Sequence, residues 1–315
     1  MFFLWLGVAV IVLLCFAFCL AYYCYRRIFY SPPRKLPGAG EYEIPEGEIY
    51  EVFREDMIAW TEMLRNLPHE NVSITSYDGL TLRGKYYEYE KGAPLELLFH
   101  GYRGYAERDL SAAVERCFAI GRNALLIDQR ASGESDGNVI TFGVKERLDC
   151  LKWIDFAIEH FGKDVKILIG GVSMGASTVL MTAGVKLPKN VVCIMADCGF
   201  TSAKEMIQKV IRDMKLPAQL IYPFVKMGAR VFGKFNLEET SAIKCVEKAT
   251  LPIIFIHGAE DYYVPFEMSR RMYERCPSKK ALAFIDGAGH GLAYPVNKEA
   301  YLQALRDFEK QWKTE

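Results

Sequence analysis

The sequence lacks an excess of charge of either sign. Its 315 residues include 39 basic and 39 acidic side chains, so the formal net charge is zero. Nucleic acids and other strongly charged partners are bound through a charge excess of the opposite sign. We therefore expect no nucleic-acid partner.

The spacing that marks paired cysteines is also missing, although the chain contains nine cysteines. Three of them lie in the apolar N-terminal run, and the others are scattered without a C-x-x-C motif. Zinc sites and disulfide frameworks depend on such spacing. We therefore expect no metal ion and no cofactor, and unpaired cysteines are typical of a reducing compartment.

Charged residues are absent from positions 2–25, which are dominated by aliphatic, aromatic and cysteine side chains. This run is long enough to cross the hydrocarbon core of a bilayer, about 30 Å, as one helix. Tyr22, Tyr23 and Tyr25 stand where aromatic side chains meet the membrane interface. Residues 1–25 are therefore predicted to form a single transmembrane anchor.

A cleaved signal peptide is the alternative interpretation of this run. It requires a basic start and a small-residue cleavage site, and neither is visible. The positive charges of Arg26, Arg27, Arg34 and Lys35 instead follow the run. Because basic flanks tend to stay in the cytoplasm, we expect a single-pass membrane protein with the rest of the chain in the cytoplasm.

Residues 26–69 are predicted to join the anchor to the main domain. A Pro/Gly-rich stretch at 31–40 has no periodicity and is typical of an extended linker. Residues 48–66 have apolar side chains at helical spacing, with Trp60 and Leu64 near one face. This amphipathic helix either packs on the domain, which we favour, or lies on the membrane.

Short apolar runs that alternate with helical patterns begin near residue 70. The predicted strands are 72–76, 81–89, 95–99, 123–127, 165–169, 191–196, 253–256 and 281–285. Strands that alternate with helices imply a mostly parallel sheet with helices on both faces. Residues 70–315 are therefore predicted to form one α/β domain around an eight-stranded sheet.

The alternation of strands and helices breaks between Asp197 and Thr250. This interval is much longer than one crossover helix needs, and its stretch 216–232 is apolar with few charges. We predict a helical cap insertion at about residues 200–248. An ordinary pair of helices packed on the sheet is the alternative.

One stretch combines the apolar run 165–169 with a glycine-rich turn and the start of a small-residue helix. It contains the pattern G-x-S-x-G as Gly171, Ser173 and Gly175. A serine hydroxyl becomes a good nucleophile only when it is held toward a base, and a strand that turns at once into a helix does this. This context favours Ser173 as a nucleophile over the alternative of an ordinary glycine-rich loop.

An activated serine needs a histidine base, and that histidine needs a carboxylate. His290 lies in a glycine-rich loop just after the last predicted strand. Asp261 lies in the loop after strand 253–256, beside its rival Glu260. Ser173, Asp261 and His290 each follow the C-terminal end of a predicted strand, where open α/β sheets bind ligands. We therefore predict that these three residues form a catalytic triad.

Other residues at strand ends receive structural interpretations. Asp128 ends a strand, but we expect a structural ion pair with Arg130 there. His100 and His257 each close a strand before a glycine, where a packing or hydrogen-bonding role is expected.

Negative charge that develops on a substrate oxygen needs preformed hydrogen-bond donors. The backbone N–H of Met174 follows the nucleophile at the start of a helix, where the helix dipole adds to the effect. The backbone N–H of Tyr102, in the loop after strand 95–99, is predicted as the second donor. The phenol of Tyr102 is a further alternative.

The stretches LLFHGYRG, LIDQRASGESDG, GGVSMGAS, IFIHGAEDYYVPFEM and GAGHG resemble the α/β-hydrolase superfamily over roughly residues 70–312. The order serine, aspartate, histidine along the chain is also that of this superfamily. More closely, the chain is similar to bacterial membrane-anchored hydrolases of the serine aminopeptidase-like and monoacylglycerol lipase-like group. The resemblance implies an α/β-hydrolase fold. It also implies Ser173 as nucleophile, Asp261 as acid, His290 as base, and Tyr102 with Met174 as oxyanion donors.

We therefore expect a membrane-anchored serine hydrolase that cleaves carboxylic esters through an acyl-enzyme. The apolar cap and anchor favour a small-molecule ester with a lipid-derived or other apolar acyl group. An aminopeptidase, amidase or thioesterase on the same triad is the alternative, and an aminopeptidase would bind the substrate amine through Glu238 or Glu239. A hydrolase fold retained for ligand binding or as a membrane scaffold is the alternative from another class, against which the complete triad argues.

Overall fold

The computed structural model describes residues 1–313, with side chains through residue 310. The strands are β1 (Glu70–Thr75), β2 (Thr81–Tyr87), β3 (Leu95–Phe99), β4 (Asn123–Ile127), β5 (Ile167–Val172), β6 (Val191–Asp197), β7 (Ile253–Gly258) and β8 (Lys280–Ile285). The helices are α1 (Phe2–Ile28), α2 (Glu48–Glu51), α3 (Arg54–Asn66), α4 (Ala106–Ala119), α5 (Glu146–Phe161), α6 (Met174–Thr182), α7 (Ala203–Asp213), α8 (Ala218–Val231), α9 (Ala242–Val246), α10 (Glu267–Arg275), α11 (Ala293–Val296) and α12 (Lys298–Lys313).

The eight strands form one sheet in the order β1-β2-β4-β3-β5-β6-β7-β8. β2 pairs antiparallel with β1 and β4, and all other neighbours are parallel. β3 and β4 are buried at every position, which explains their nearly continuous apolar sequences. The predicted mostly parallel, eight-stranded α/β sheet is confirmed.

Helices cover both faces of this sheet, as predicted. On one face, α5, α6, α9 and α10 pack on strand residues such as Leu97 and Phe255. On the other face, α3, α4, α11 and α12 pack on residues such as Leu98 and Ile254. Neighbouring residues of one strand therefore enter opposite core layers, as the two-residue period of a strand requires.

Three helices occupy the interval between β6 and β7, where the sequence predicts a cap. α7 and α8 form a third apolar cluster with the end of α1, apart from the two layers that cover the sheet. α9 instead contributes to one of those two layers. The interval thus combines two helices of the cluster that includes the end of α1 with one helix that packs on the main core.

The single helix predicted at 48–66 is two helices, α2 and α3. They are separated at Phe53, whose backbone, at φ −107° and ψ 14°, leaves the helical region. α3 packs on α4, and Trp60 Nε1 donates a hydrogen bond to Glu115 Oε2 at 3.0 Å. Trp60 and Leu64 are buried, so the domain itself covers the apolar face of α3.

α1 is long and apolar enough to cross a membrane. Its most apolar 18-residue window has a mean hydropathy of 2.9, and none of it is buried in the protein. A signal sequence near the N-terminus meets the same criteria of length and composition. The last turns of α1 differ from this exposed window, because Ala21, Cys24 and Tyr25 are buried. They lie against α8, where a Cβ on Gly228 would be only 2.5 Å from the Ala21 carbonyl oxygen.

Candidate active site

Ser173 lies where β5 turns directly into α6. Its backbone, at φ 56° and ψ −115°, is in a region that non-glycine residues rarely occupy. Two glycines allow the turn. A Cβ on Gly171 would lie 2.3 Å from the Gly175 carbonyl carbon, and one on Gly175 would lie 2.0 Å from the Phe99 carbonyl oxygen. Because only glycine fits at both positions, the G-x-S-x-G pattern produces a sharp turn with Ser173 at the C-terminal edge of the sheet.

Ser173, His290 and Asp261 form a continuous line of hydrogen-bonding side chains. His290 Nε2 lies 2.9 Å from Ser173 Oγ, and His290 Nδ1 lies 2.6 Å from Asp261 Oδ2. Asp261 follows β7 and His290 follows β8, so the parallel strands bring their loops to the same edge as the turn after β5. The three residues selected from the sequence therefore meet at hydrogen-bond distances.

The Asp261 side chain is completely buried, and its surroundings favour the charged form. Oδ1 accepts the backbone N–H groups of Tyr263 and Val264 at 3.0 and 2.8 Å, and Oδ2 faces His290 and His257. Burial alone raises the pKa of this carboxyl, but the hydrogen bonds from the two histidines outweigh burial and hold the pKa at about 2. Asp261 is therefore a carboxylate at neutral pH, the form that orients an imidazole and stabilises its cation.

His257 supports Asp261 from inside the core. Its Nε2 lies 2.8 Å from the Val264 carbonyl oxygen and 3.2 Å from Asp261 Oδ2, and its Nδ1 lies 2.7 Å from Ser269 Oγ. Both neighbours of Nε2 are acceptors, so this nitrogen carries the proton and Nδ1 accepts from the serine hydroxyl. The hydrogen-bonding role predicted for His257 is confirmed, whereas its contact with Asp261 was not foreseen.

The loop after β3 approaches Ser173 from the other side. A Cβ on Gly101 would lie 3.6 Å from Ser173 Cβ, and the Gly101 N–H donates to Asp109 Oδ2 at 3.1 Å. Among the described residues, neither the Tyr102 N–H nor the Met174 N–H donates to a protein acceptor. These two amides thus remain candidate oxyanion donors beside Ser173.

The phenol of Tyr102 does not serve as the further oxyanion donor considered from the sequence. It donates a hydrogen bond to the Ile28 carbonyl oxygen at 2.7 Å. The phenolic hydrogen is therefore used at the end of α1 and not toward Ser173.

The ion pair expected between Asp128 and Arg130 does not form. Asp128 instead accepts two backbone N–H groups, one from Ala106 at the start of α4 at 2.8 Å and one from Glu134 in the loop after β4 at 2.9 Å. Arg130 donates to Asp149 at 2.6 Å and to Asp78 at 3.0 Å. His100 has the structural role expected of it, since its Nε2 accepts a backbone N–H of the loop after β4 at 3.0 Å.

Ser173 and His290 line a cavity of about 890 Å³, whose wall includes residues 31–34 directly after α1. Two aromatic residues of this cavity contact His290. The Tyr50 hydroxyl donates to the His290 carbonyl oxygen at 3.0 Å, and the Tyr263 ring packs edge-on against the imidazole at 5.0 Å. Sequence reasoning missed both residues. Of the two, only Tyr263 could have been suspected from the sequence, because it lies two residues after the candidate acid Asp261.

One group of described side chains brings metal-ligand atoms together, and it belongs to this site. The donor atoms of Cys198, Asp261 and His290 lie within 4.8 Å of one another. Metal binding would need the thiolate of the cysteine, but burial raises the pKa of the Cys198 thiol well above its ordinary value. Asp261 and His290 are also hydrogen-bonded to each other, so these atoms are already used. These residues do not fit a resident metal ion.

Comparison with known proteins relates this site to a family. The sequence profile of Peptidase_S9, the prolyl oligopeptidase family, matches residues 141–314. The uncharacterized protein YqkD of Bacillus subtilis is 28% identical over 190 residues, which is 60% of this chain and 62% of that protein. The match therefore spans less than two thirds of that relative's length. The alpha/beta hydrolase domain-containing protein 17C of Xenopus tropicalis is 41% identical over 68 residues, 21% of either chain.

The esterase Pf2001 of Pyrococcus furiosus has a similar structure, with a TM-score of 0.65 at 23% identity. The alignment covers 90% of this chain and 98% of that chain. At this identity the likeness establishes the α/β-hydrolase fold. The matched family profile covers more than half of the chain and includes Ser173, Asp261 and His290. The protein thus belongs to the prolyl oligopeptidase family, among the hydrolases of the α/β-hydrolase superfamily.

Proposed function

We propose that this protein is a membrane-anchored serine hydrolase that cleaves carboxylic esters through an acyl-enzyme. The observation that carries the proposal is the line of hydrogen bonds from Ser173 Oγ through both nitrogens of His290 to Asp261. A nucleophile, a base and an orienting carboxylate in this arrangement are what acyl transfer requires. The strained backbone of Ser173 is a second support, because strain of this kind accumulates at functional sites.

In this proposal His290 Nε2 takes the proton of Ser173 Oγ as that oxygen attacks the ester carbonyl. The imidazolium then gives the proton to the leaving alcohol, and the acyl group stays on Ser173. Water, deprotonated by His290, next attacks the acyl carbon, and the serine recovers its proton as the acid leaves. Asp261 keeps a proton on Nδ1 of His290, so that Nε2 can act as the base in both halves.

The negative oxygen of each tetrahedral intermediate needs donors that are already in place. We assign this role to the backbone N–H groups of Tyr102 and Met174. Met174 is the first residue of α6, where the positive end of the helix dipole also favours an anion.

We propose a small-molecule ester with an apolar, lipid-derived acyl group as the substrate class. The cavity at Ser173 has apolar and aromatic wall residues such as Met57, Trp60 and Leu110. Its wall also includes Pro32 and Pro33, which follow α1. If residues 1–25 are the anchor, this part of the cavity lies close to the membrane surface. In this view residues 26–69 connect the anchor to a hydrolase domain, residues 70–315, with its cap insertion at about 200–248.

Amide hydrolysis on the same three residues is the second candidate, because the matched family profile is that of a peptidase family. An aminopeptidase needs an unpaired acidic group for the substrate amine. Glu238 accepts from Lys226 at 3.1 Å, and Glu239 accepts from Arg147 at 2.6 Å. Since a basic partner already pairs each of these carboxylates, we favour the ester.

Labelling of the full chain with a fluorophosphonate probe tests the assigned nucleophile. The wild type and the Ser132→Ala variant are expected to label, and Ser173→Ala is expected not to label. Ser132 is the matched control because it lines the same cavity, is buried, and has a hydroxyl without a partner among the described residues. Equal labelling of wild type and Ser173→Ala would overturn the proposal. Labelling without steady-state turnover would favour a binding or scaffold role.

A further inference from the structure

The C-terminal end of α1 is hydrogen-bonded to the loop that carries Tyr102. We propose that Tyr102 and Arg103 are positioning residues. Their side chains bind the end of α1, and α1, packed against the domain, in turn fixes the position of the Tyr102 N–H. The inference rests on the proposed function, because that N–H is the assigned oxyanion donor. It makes the membrane-facing helix a structural part of the catalytic site.

Three backbone carbonyls at and just beyond the end of α1 are the acceptors. The Tyr102 hydroxyl donates to the Ile28 carbonyl at 2.7 Å. The Arg103 guanidinium donates to the carbonyls of Arg27 and Tyr30 at 2.9 and 3.2 Å, and to the Tyr102 hydroxyl oxygen at 2.9 Å. The last carbonyls of a helix have no partner within the helix, and a cation is favourable beside them. We call these five residues the helix clamp.

The backbone of the loop is held in a conformation that needs such support. Arg103 has φ +56°, in the left-handed region that non-glycine residues seldom adopt. Conformations of this kind persist where the surrounding contacts over-determine them. The hydrogen bonds from the Arg103 side chain to the end of α1 are such contacts. Because Arg103 is the next residue in the chain, these bonds also restrain the backbone of Tyr102.

The end of α1 is itself fixed from the other side. Phe29 is fully buried, with ring centroids 5.9 Å from Phe142 and 5.3 Å from Phe235. The Ile140 N–H donates to the Phe29 carbonyl at 2.8 Å. α8 packs one helix turn earlier, where Gly228 touches the backbone of α1. A displacement of α1 from α8 would therefore be transmitted to the helix clamp.

The helix clamp is also close enough to Ser173 to affect the position of catalytic groups. Gly101 precedes Tyr102, and a Cβ on Gly101 would lie 3.6 Å from Ser173 Cβ. Misplacement of a catalytic group by about 1 Å can cost about a hundredfold in rate. A loop that loses its hold on α1 is thus expected to lower the rate of the chemical step, with little effect on substrate binding.

Two variants of the full chain in detergent micelles test this inference. Tyr102→Phe keeps the backbone N–H and removes the hydrogen bond to α1. Gly228→Leu forces α1 away from α8, since its Cβ would lie 2.5 Å from the Ala21 carbonyl oxygen. For p-nitrophenyl ester hydrolysis, we expect kcat per active site to fall by about tenfold or more in both variants, and the KM of Tyr102→Phe to stay within about twofold of wild type.

Tyr89→Phe, in an exposed loop, and Gly7→Leu, where no atom lies within 4 Å of the added Cβ, are the matched controls and should keep the wild-type kcat. Active sites are counted by fluorophosphonate titration, which separates a slower site from a smaller folded fraction. Wild-type kcat per titrated site in Tyr102→Phe and Gly228→Leu would overturn the inference, even if fewer sites titrate. A wild type that neither labels nor hydrolyses esters would instead overturn the proposed function, and this inference with it.

Discussion

Asp261 is charged although it is buried, because two histidines and two backbone amides surround its oxygens. Replacing it with Asn keeps the size of the side chain but removes the charge that stabilises the imidazolium of His290. We expect Asp261→Asn to lower kcat for ester hydrolysis by about 10³–10⁴-fold, with a much smaller change in KM. Asp155→Asn, on the exposed side of α5, is the control. A loss below tenfold in Asp261→Asn would contradict the role assigned to this carboxylate.

The same carboxylate makes stability depend on pH. The pKa of Asp261 is about 2 in the folded chain, below its ordinary value of 3.8. A lowered pKa contributes stability above about pH 4, and this contribution is lost as the pH falls through about 2. Its size is about 2 kcal/mol. Chemical denaturation at pH 7 and pH 3 should therefore show a larger loss for wild type than for Asp261→Asn. Equal losses of unfolding free energy in the two proteins would mean that Asp261 is not the source of the pH dependence.

The site residues that follow strands could be predicted from the sequence. Ser173, Asp261 and His290 each lie within about five residues of the end of a predicted strand, so local pattern and chain order located them. The contacts of Tyr50 and His257 could not be found in this way. Tyr50 lies 240 positions from His290, and its pairing depends on where α2 packs. The contact between His257 and Asp261 depends on how the loop after β7 folds back.

Among the elements, β3, α4 and α12 are joined by a buried ionic cluster around Glu96. Its two carboxylate oxygens lie 2.6 Å from Arg116 and 2.7 Å from Arg122, and Arg122 also contacts Glu309. Burial raises the pKa of Glu96, but the two guanidinium groups outweigh burial and hold the pKa at about 2. Glu96 is therefore charged in the core, and its charge together with that of Glu309 balances the two arginines.

We expect Glu96→Gln to lower the free energy of unfolding by about 3–5 kcal/mol, because it leaves two buried arginines without their central counter-charge. Glu267→Gln, which removes an exposed pair with Arg270, is the matched control and should change stability little. Urea denaturation of the full chain in detergent measures both variants. Equal stability of Glu96→Gln and wild type would mean that the cluster does not hold these elements together.

The elements themselves were largely predictable, because short apolar strands bounded by turns differ in period from amphipathic helices. Two predictions failed for reasons that lie outside the local sequence. The helix at 48–66 breaks at Phe53, although its apolar spacing continues across the break. Arg130 pairs with Asp149 and Asp78, which the fold brings to it, and not with its sequence neighbour Asp128.

For the whole molecule, the proposed anchor predicts where the hydrolase domain is found. We expect the full chain to stay in the membrane fraction after alkaline carbonate extraction. We also expect protease to reach residues 70–315 only after the cells are made permeable. Release into the soluble fraction with a shortened N-terminus would instead support the alternative of a cleaved signal sequence. Digestion of the domain in intact cells would contradict the cytoplasmic orientation.

The docking of α1 on α8 was beyond sequence reasoning. The apolar run indicated a spanning helix, but its last turns are buried by contacts with residues some two hundred positions away. α1 has 27 residues and is about 40 Å long. It therefore exceeds the hydrocarbon core of a bilayer by several residues. Those residues carry two of the three carbonyls of the helix clamp, which links the proposed anchor to the proposed catalytic site.

In the proposed function, Ser173 hydrolyses carboxylic esters through an acyl-enzyme. This activity is tested by steady-state turnover of a p-nitrophenyl ester series of increasing acyl length, compared with aminoacyl anilides. We expect wild type and Ser132→Ala to turn over the esters far faster than the anilides, and Ser173→Ala to lose at least about 10³-fold in kcat. Ester turnover that survives in Ser173→Ala, or a preference of the wild type for the anilides, would contradict the proposed function.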